Sequence, residues 1–386
     1  MERLFAVSAP GLEPYTAQEL EHLGLGRHQA APQEIDGGSL EEDAGGIEFE
    51  GSLLDLYRAN LQLRTATRLL VRLGEFYAAA FSELRKKSSR LPWERYLTPG
   101  RAVALRVTCH KSRLYHSKAV AERVVGAICD RLGEEVRQEK LDENAPGPHP
   151  QLIVVRLMKD LCTISVDSSG EALHRRGYRK ATAKAPLRET LAAGILLASG
   201  WDGVSPLVDP FCGSGTIPIE AALMARKLAP GRNRRFAFMS WPDFDLEKWE
   251  AVLAGVQAQA NGVPMPPILA SDRDAGAIIA ARGNAARAGV ADAIQFTCQS
   301  VSAIDPSGTG WLVTNPPYGQ RVSSNKDLRN LYAQLGNVLR VKCSGWQVAI
   351  LCSDDRLLNS TGLHLERSVS LTNGGTKVRL GRGQVG

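Results

Sequence analysis

The second half of this chain alternates short apolar runs with helical periods, and that alternation restricts its fold more than any other feature. Leu207-Val208-Asp209 reads as a buried strand, Ile217–Leu228 as a helix, Ile268–Asp272 as a strand, Ala275–Ala288 as a helix and Ala293–Thr297 as a strand. Trp311–Thr314, Leu328–Lys342 and Trp346–Cys352 continue the series as strand, helix and strand. Such a series argues for a parallel sheet with helices on both faces. The last two strand candidates, Leu363–Leu371 and Lys377–Gly381, are separated only by Thr372-Asn373-Gly374-Gly375-Thr376. That gap is too short for a crossover, so the final pair must form an antiparallel hairpin.

The first part of the chain reads differently. Strand candidates are Glu2–Ser8, Arg68–Phe76, Ala102–Cys109 and Ile153–Val166, and helix candidates are Pro14–Leu23, Leu53–Leu63 and Ser117–Leu132. Residues 32–46 and Asn144–Pro150 read as loops, rich in glycine or proline. The stretch from Leu173 to Ala185 is polar and basic, without apolar periodicity. The expected organisation is a mixed α/β region over 1–170, a basic linker over 171–188 and a doubly covered sheet over 189–386. A length of 386 residues suits two or three domains.

Composition excludes several classes. With 44% hydrophobic and 23% charged residues the chain is globular rather than disordered. No apolar run approaches the ~18 residues of a membrane helix. Met1–Phe5 reaches Pro10-Gly11 without an apolar signal segment, so a cytoplasmic location is expected. The seven cysteines form no C-x-x-C pair, which disfavours a disulfide scaffold or zinc knuckle, and no metal is expected. Net charge is only +6, but cations cluster. One cluster runs from Arg85 to Lys118; another, free of acids, contains Arg175, Arg176, Arg179, Lys180, Lys184 and Arg188. Clusters of this kind attract a polyanion or simply form a solvated face.

Three motifs carry chemistry. Asp209-Pro210-Phe211-Cys212-Gly213-Ser214-Gly215-Thr216 lies between a strand and a helix. Its glycines let a ligand approach backbone that a Cβ would block. It lacks the G-K-[ST] of a phosphate loop, and Pro218 stands where a nicotinamide fingerprint has its third glycine. The acid at the strand end suits a ligand with a cationic amino-acid portion. Ser271-Asp272-Arg273-Asp274 follows the next strand; Asp272 is placed to accept ribose hydroxyls, and Asp274 to cap the following helix. Asn315-Pro316-Pro317-Tyr318 follows the fourth strand. There the Asn315 side chain and the Pro316 carbonyl can accept hydrogen bonds from a planar exocyclic amine, and Tyr318 offers a stacking face. Taken singly, each motif also reads as a structural turn.

In this order the motifs resemble those of class I S-adenosylmethionine-dependent methyltransferases acting on exocyclic amino groups. Asn60–Ala66 and Cys109–Tyr115 resemble a THUMP domain with its ferredoxin-like partner. Leu173-His174-Arg175-Arg176-Gly177-Tyr178-Arg179 with Ala185–Glu189 resembles the linker of THUMP-domain RNA guanine-N2 methyltransferases, and Asn373-Gly374 fits the same group. The chain looks like a stand-alone relative of the guanine-N2 half of the bifunctional 23S rRNA methyltransferase.

The resemblance implies that S-adenosylmethionine is held by Asp209, Pro210, Cys212, Gly213, Ser214, Gly215, Thr216, Asp272, Arg273, Ser300 and Asn315. Ser300 stands where the family usually has an Asp that contacts the adenine amine. Asn315, Pro316, Pro317 and Tyr318 form the catalytic set. The implied partner is structured RNA, rRNA or tRNA, gripped through Lys111, Arg113, Lys118, Arg175, Arg176, Arg179, Lys180 and Arg321, with no membrane partner; a monomer is assumed. The expected reaction is methyl transfer to guanine N2, most readily in 23S rRNA. The alternatives are a tRNA guanine-N2 enzyme, a protein glutamine-N5 methyltransferase, which shares N-P-P-Y, and a non-catalytic RNA-binding assembly factor. The THUMP-like half opposes the glutamine enzyme, and the intact motifs oppose the inactive factor.

Overall fold

The computed structural model describes residues 1–25, 28–30, 45–144, 149–179, 187–260, 262, 264–318 and 325–386, with side chains undescribed at 28–30 and 325–327. The loop expected over 32–46 lies outside these residues except at its end, as do most of the 144–150 loop, Lys180, Lys184 and Arg321.

Two sheets organise the chain. The first is built from β1 (Glu2–Ser8), β2 (His28–Ala30), β3 (Gly46–Gly51), β4 (Ala66–Tyr77), β5 (Val103–His110), β6 (Gln151–Met158) and β7 (Leu161–Asp167). Its order is β2-β3-β1-β4-β7-β6-β5, so the N-terminal half is built on one continuous sheet, joined through β4 and β7. Helices α1 (Glu13–His22), α2 (Leu53–Gln62), α3 (Phe81–Ser88) and α4 (Ser117–Leu132) accompany it. Helix α2 starts where the sequence expects, because Ser52 and Asp55 form a reciprocal capping box.

The strand material expected over Ile153–Val166 forms a hairpin. Lys159 and Asp160 adopt φ values of 52° and 65° and reverse the chain between β6 and β7. A two-residue turn with both residues left-handed matches the twist of its strands, but neither residue is the glycine or asparagine that would announce it.

The second sheet contains β8 (Leu207–Asp209), β9 (Ile268–Asp272), β10 (Ile294–Cys298), β11 (Trp311–Thr314), β12 (Gln347–Cys352), β13 (Glu366–Asn373) and β14 (Thr376–Gln384). Its order is β10-β9-β8-β11-β12-β14-β13, parallel from β10 to β12. β14 pairs antiparallel with both β12 and β13, as the short terminal gap requires. Gly374 and Gly375 make that turn, at φ 57° and 79°. The helices are α5 (Glu189–Ser199), α6 (Thr216–Ala225), α7 (Leu246–Ala258), α8 (Ala275–Ala288), α9 (Asn325–Lys342) and α10 (Asp355–Ser360). The sequence reading missed α3, α5, α7 and α10. Helix α5 is buried almost all round, so it carries no amphipathic stripe to read.

The packing does not follow the expected domain boundaries. Ala229, Phe236, Phe238, Trp241, Trp249 and Val256, from the α6–β9 connection, join the core of the first sheet. Phe238 stacks on Tyr57 of α2 with centroids 4.6 Å apart, and the Tyr57 hydroxyl accepts from the Asp245 backbone N–H at 3.0 Å. In return Leu12 sits in the core of the second sheet, against Gly194 of α5, where an added Cβ would come within 2.5 Å of it. The two halves are therefore tied by interpenetrating apolar surface.

Candidate cofactor and acceptor site

Strand order reverses at β8, whose neighbours β9 and β11 connect to opposite sides of the sheet. A crevice opens at the carboxyl end of such a strand, and open α/β sheets bind ligands there. All three sequence motifs arrive at this edge: Asp209 ends β8, Asp272 ends β9 and Asn315 follows β11.

Asp209 is 1% exposed. Its carboxylate accepts the Thr314 hydroxyl at 2.6 Å and the Phe211 backbone N–H at 3.2 Å, and no cation pairs with it among the described residues. Burial pushes its pKa up to about 7, against the lowering effect of those two bonds, and nearby Asp272 adds to the rise. The bond to Thr314 locks the first motif to the residue preceding Asn315.

The turn after Asp209 is shaped by its glycines. Gly213 has φ 52° with nothing within 4 Å of a built Cβ, which leaves open space for a ligand. Gly215, at φ 86°, packs against α8, where a Cβ would lie 3.0 Å from that of Ala281. Asp272 accepts the Gly213 N–H and the Asp274 N–H, each at 3.0 Å, and each carboxylate oxygen keeps a further lone pair for a hydroxyl. Asp274 caps α8 by accepting from Gly276 at 2.8 Å, as expected. Buried Pro210 and Cys212 line the back of the turn; the Cys212 N–H donates to the Ser271 carbonyl at 3.0 Å. The Ser214 carbonyl accepts from Asn284 at 2.9 Å.

Three further residues of the expected cofactor set are placed as follows. The Thr216 hydroxyl accepts from Arg179 at 2.9 Å, so its side chain faces the linker, not the crevice. Ser300 is exposed and hydrogen-bonds Ser302 at 2.7 Å. Arg273 is exposed beside it.

On the acceptor side, the buried Asn315 Oδ1 finds no donor among the described residues. A buried, unsatisfied carbonyl oxygen costs free energy unless a ligand supplies a donor, so its presence at a ligand edge needs a reason. Pro316 is buried and Pro317 half-buried. Tyr318 departs from the sequence reading: its ring is 3% exposed within the core, and its hydroxyl accepts from Asn373 of β13 at 2.9 Å. No base can stack on a ring so covered, and its evident work is to anchor the loop. Asn373 and Tyr332, whose hydroxyl lies 3.5 Å from the Pro317 carbonyl, are supports that the sequence reading left without a task.

The linker cations are a second correction. Arg176 is 4% exposed, donates to the Arg64 and Leu173 carbonyls at 2.6 Å each, and lies 3.7 Å from Glu220. Arg179 lies 3.3 Å from Glu189, and Arg175 bonds the Glu143 carbonyl and Asn144 at 2.8 Å. These cations face protein partners because the segment is wedged between the halves. In the first sheet's half, Lys111, Arg113 and Lys118 are exposed around Tyr115, 68% exposed, whose ring lies 4.1 Å from His116; Arg113 also lies 3.8 Å from Asp160. Tyr115 had no place in the sequence-derived set, since an exposed aromatic is visible only in the structure.

Comparison with known proteins places the whole chain. Residues 176–380 match the family described as RMKL-like, methyltransferase domain; residues 3–70 match the RlmL ferredoxin-like domain and 78–167 the THUMP domain. The chain belongs to the RMKL-like methyltransferase family. Among relatives, the ribosomal RNA large subunit methyltransferase K/L of Syntrophotalea carbinolica is 37% identical over 98% of this chain and 53% of its own length. The chain thus spans about half the length of several curated relatives it matches. Slr0064 of Synechocystis sp., whose name places it with the RNA methyltransferases, is 33% identical over 96% of this chain and 94% of its own. The crystal structure of SMU.472 complexed with SAH superposes with a TM-score of 0.84 at 29% identity, covering 100% of this chain and 98% of that one.

Proposed function

We propose that this protein transfers a methyl group from S-adenosylmethionine to the exocyclic N2 of a guanine in structured RNA, with large-subunit rRNA as the substrate. The observation that carries the reading is the buried Asn315 Oδ1, which has no donor among the described residues and lies one residue beyond the Thr314–Asp209 bond. An acceptor without a donor suits an amine that brings hydrogens. It lies near the buried Asp209 carboxylate, which has no cation among the described residues and would meet the methyl donor's cationic portion.

S-adenosylmethionine would supply an electrophilic methyl group. Asp209 would hold its amino-acid portion, Gly213 would let its body lie against the backbone, and Asp272 would accept from the ribose hydroxyls. Asn315 Oδ1 and the Pro316 carbonyl would accept the two amine hydrogens, which turns the nitrogen lone pair out of conjugation with the ring and toward the methyl. Orientation of this kind needs no strong base, and rate enhancement would come from positioning. The base must leave its stack to reach the crevice. The exposed Lys111–Lys118 edge, with Tyr115, would hold flanking RNA by its phosphates and one unstacked base.

The rRNA methyltransferase names of the relatives and the THUMP match support the substrate class, and the Leu173–Arg179, Ala185–Glu189 and Asn373-Gly374 resemblances support guanine N2. The test has two parts. Nucleosides from separated rRNA and tRNA of a deletion strain are compared by mass spectrometry, and N2-methylguanosine should fall in 23S rRNA only. In vitro, Asn315→Ala should lose most methyl transfer with near-normal cofactor affinity; a loss under about tenfold, ~1.4 kcal/mol, overturns the assignment of Asn315.

A further inference from the structure

We propose that Tyr178 and Arg179, in the segment joining the two halves, are positioning residues for the cofactor turn. The inference rests on the proposed cofactor site at Gly213–Thr216. It gives a task to the part of the basic linker that the RNA reading does not absorb.

The two residues reach the turn from either side of Gly215. Arg179 Nη2 donates to the Thr216 hydroxyl at 2.9 Å and to the Leu187 carbonyl at 2.8 Å, and its Nε lies 3.3 Å from Glu189. The Tyr178 carbonyl accepts from Arg287 Nε at 2.7 Å. Arg287 also donates to Asn284 Oδ1, which leaves the Asn284 amide group to donate to the Ser214 carbonyl at 2.9 Å. One route thus fixes Thr216 and the other fixes Ser214, with Gly215 pressed on Ala281 between them.

Further bonds tie the same piece of chain to the rest of the molecule. The Tyr178 hydroxyl donates to Glu220 at 3.0 Å, one turn into α6. Arg176 lies 3.7 Å from the same carboxylate and donates to the Arg64 carbonyl of the N-terminal half. Helix α6, whose first residue closes the turn, is therefore held against the RNA-binding half by the linker. The Tyr178–Glu220 bond is buried and the other hydrogen bonds are partly buried, where a lost partner is less readily replaced by water. Neither side chain is placed to touch the cofactor; a shift of Ser214 or Thr216 would move the Gly213 backbone that does.

Removing Arg179 alone would strand Glu189, a carboxyl that burial has already raised to about 6, so the test variant is R179M/E189Q in the full chain. Calorimetry with S-adenosylmethionine, methyl-transfer kinetics, RNA binding at several salt concentrations and thermal unfolding are read together. Kd and KM for S-adenosylmethionine should rise about tenfold while kcat at saturation stays within about twofold, as for loss of a charge-assisted hydrogen bond that acts on binding. RNA affinity, its salt slope and the unfolding temperature should stay near wild type.

Unchanged cofactor affinity in the folded variant overturns the proposal. So does a loss of kcat that merely tracks a fall in unfolding temperature, which marks a packing role. Weakened RNA binding with a flattened salt slope and normal cofactor affinity returns Arg179 to the RNA interface and overturns it as well. If the double variant does not fold, Thr216→Val and Thr216→Ser decide: valine should reproduce the rise in Kd and serine should restore wild-type affinity, and equal values for the two overturn the proposal. A wild-type protein that fails to bind S-adenosylmethionine removes the cofactor reading itself, and this inference with it.

Discussion

Replacing Asp209 by Asn should flatten the pH dependence of cofactor binding. Asp209 is buried with no cation paired to it among the described residues, and burial raises its pKa to about 7. A ligand with a cationic amine binds the ionised carboxylate, so below pH 7 each binding event must first remove a proton. The ligand's own α-amino group, with a pKa near 7.8, stays charged through that range. With half the carboxyls ionised at pH 7 and about one in eleven at pH 6, the apparent Kd should weaken about fivefold over that unit and ~15-fold by pH 5.5, approaching 1.4 kcal/mol per unit. Asn keeps an acceptor for Thr314 but has no charge to gain, so the variant should bind weakly at every pH with a flat profile. The sign in the free protein is opposite. Because the folded pKa is raised, the stability this carboxyl contributes is present below its unfolded value near 4 and is lost as pH rises through 7. Ligand-free Asp209→Asn should therefore gain in unfolding temperature relative to wild type from pH 5 to pH 8, even as it loses affinity. Calorimetry from pH 5.5 to 7.5 measures the first effect and thermal unfolding the second. A wild-type Kd independent of pH, or the same slope in Asp209→Asn, would refute the reasoning.

Three further expectations separate neighbouring residues. Gly215→Ala should cost stability, because a left-handed φ of 86° carries ~1–2 kcal/mol for an L residue and the new methyl meets Ala281, whereas Gly213→Ala should fold with a smaller loss and bind S-adenosylmethionine poorly; thermal unfolding and calorimetry on both decide, and a reversed order would refute the assignment. Asp272→Ala should weaken cofactor binding far more than RNA binding, and unchanged calorimetric affinity would move the ribose contact elsewhere. Lys118→Ala should lower the salt slope of RNA binding by ~0.7–0.9, while Tyr115→Ala should weaken binding with the slope unchanged; if both variants behave alike in salt titrations, Tyr115 does not stack a base.

What the sequence determined by itself was local. Alternating short apolar runs and helical periods decide a parallel sheet, and the five residues from Thr372 to Thr376 force its antiparallel end, because chain length alone limits the connections. The strand ends carrying Asp209, Asp272 and Asn315 were legible for the same reason: their motifs are contiguous and strand-to-turn chemistry is written in adjacent residues. Capping followed the same logic at Asp274, whose side chain bonds two N–H groups within three residues of it.

Tertiary structure decided whatever depends on residues distant in the chain. Arg176 and Arg179 read as cations that grip RNA, since nothing nearby in sequence announces Glu220, Glu189 or the Thr216 hydroxyl. Tyr318 read as a stacking face until Asn373, 55 residues on, took its hydroxyl into the core. Phe238 and Trp249 fall in the second half of the chain but bury against Tyr57, because apolar side chains pack wherever the folded surface leaves room for them. Burial and pairing are properties of the assembled chain, so a sequence fixes which groups can ionise or donate, and only their neighbours in space decide which ones remain free to meet a ligand.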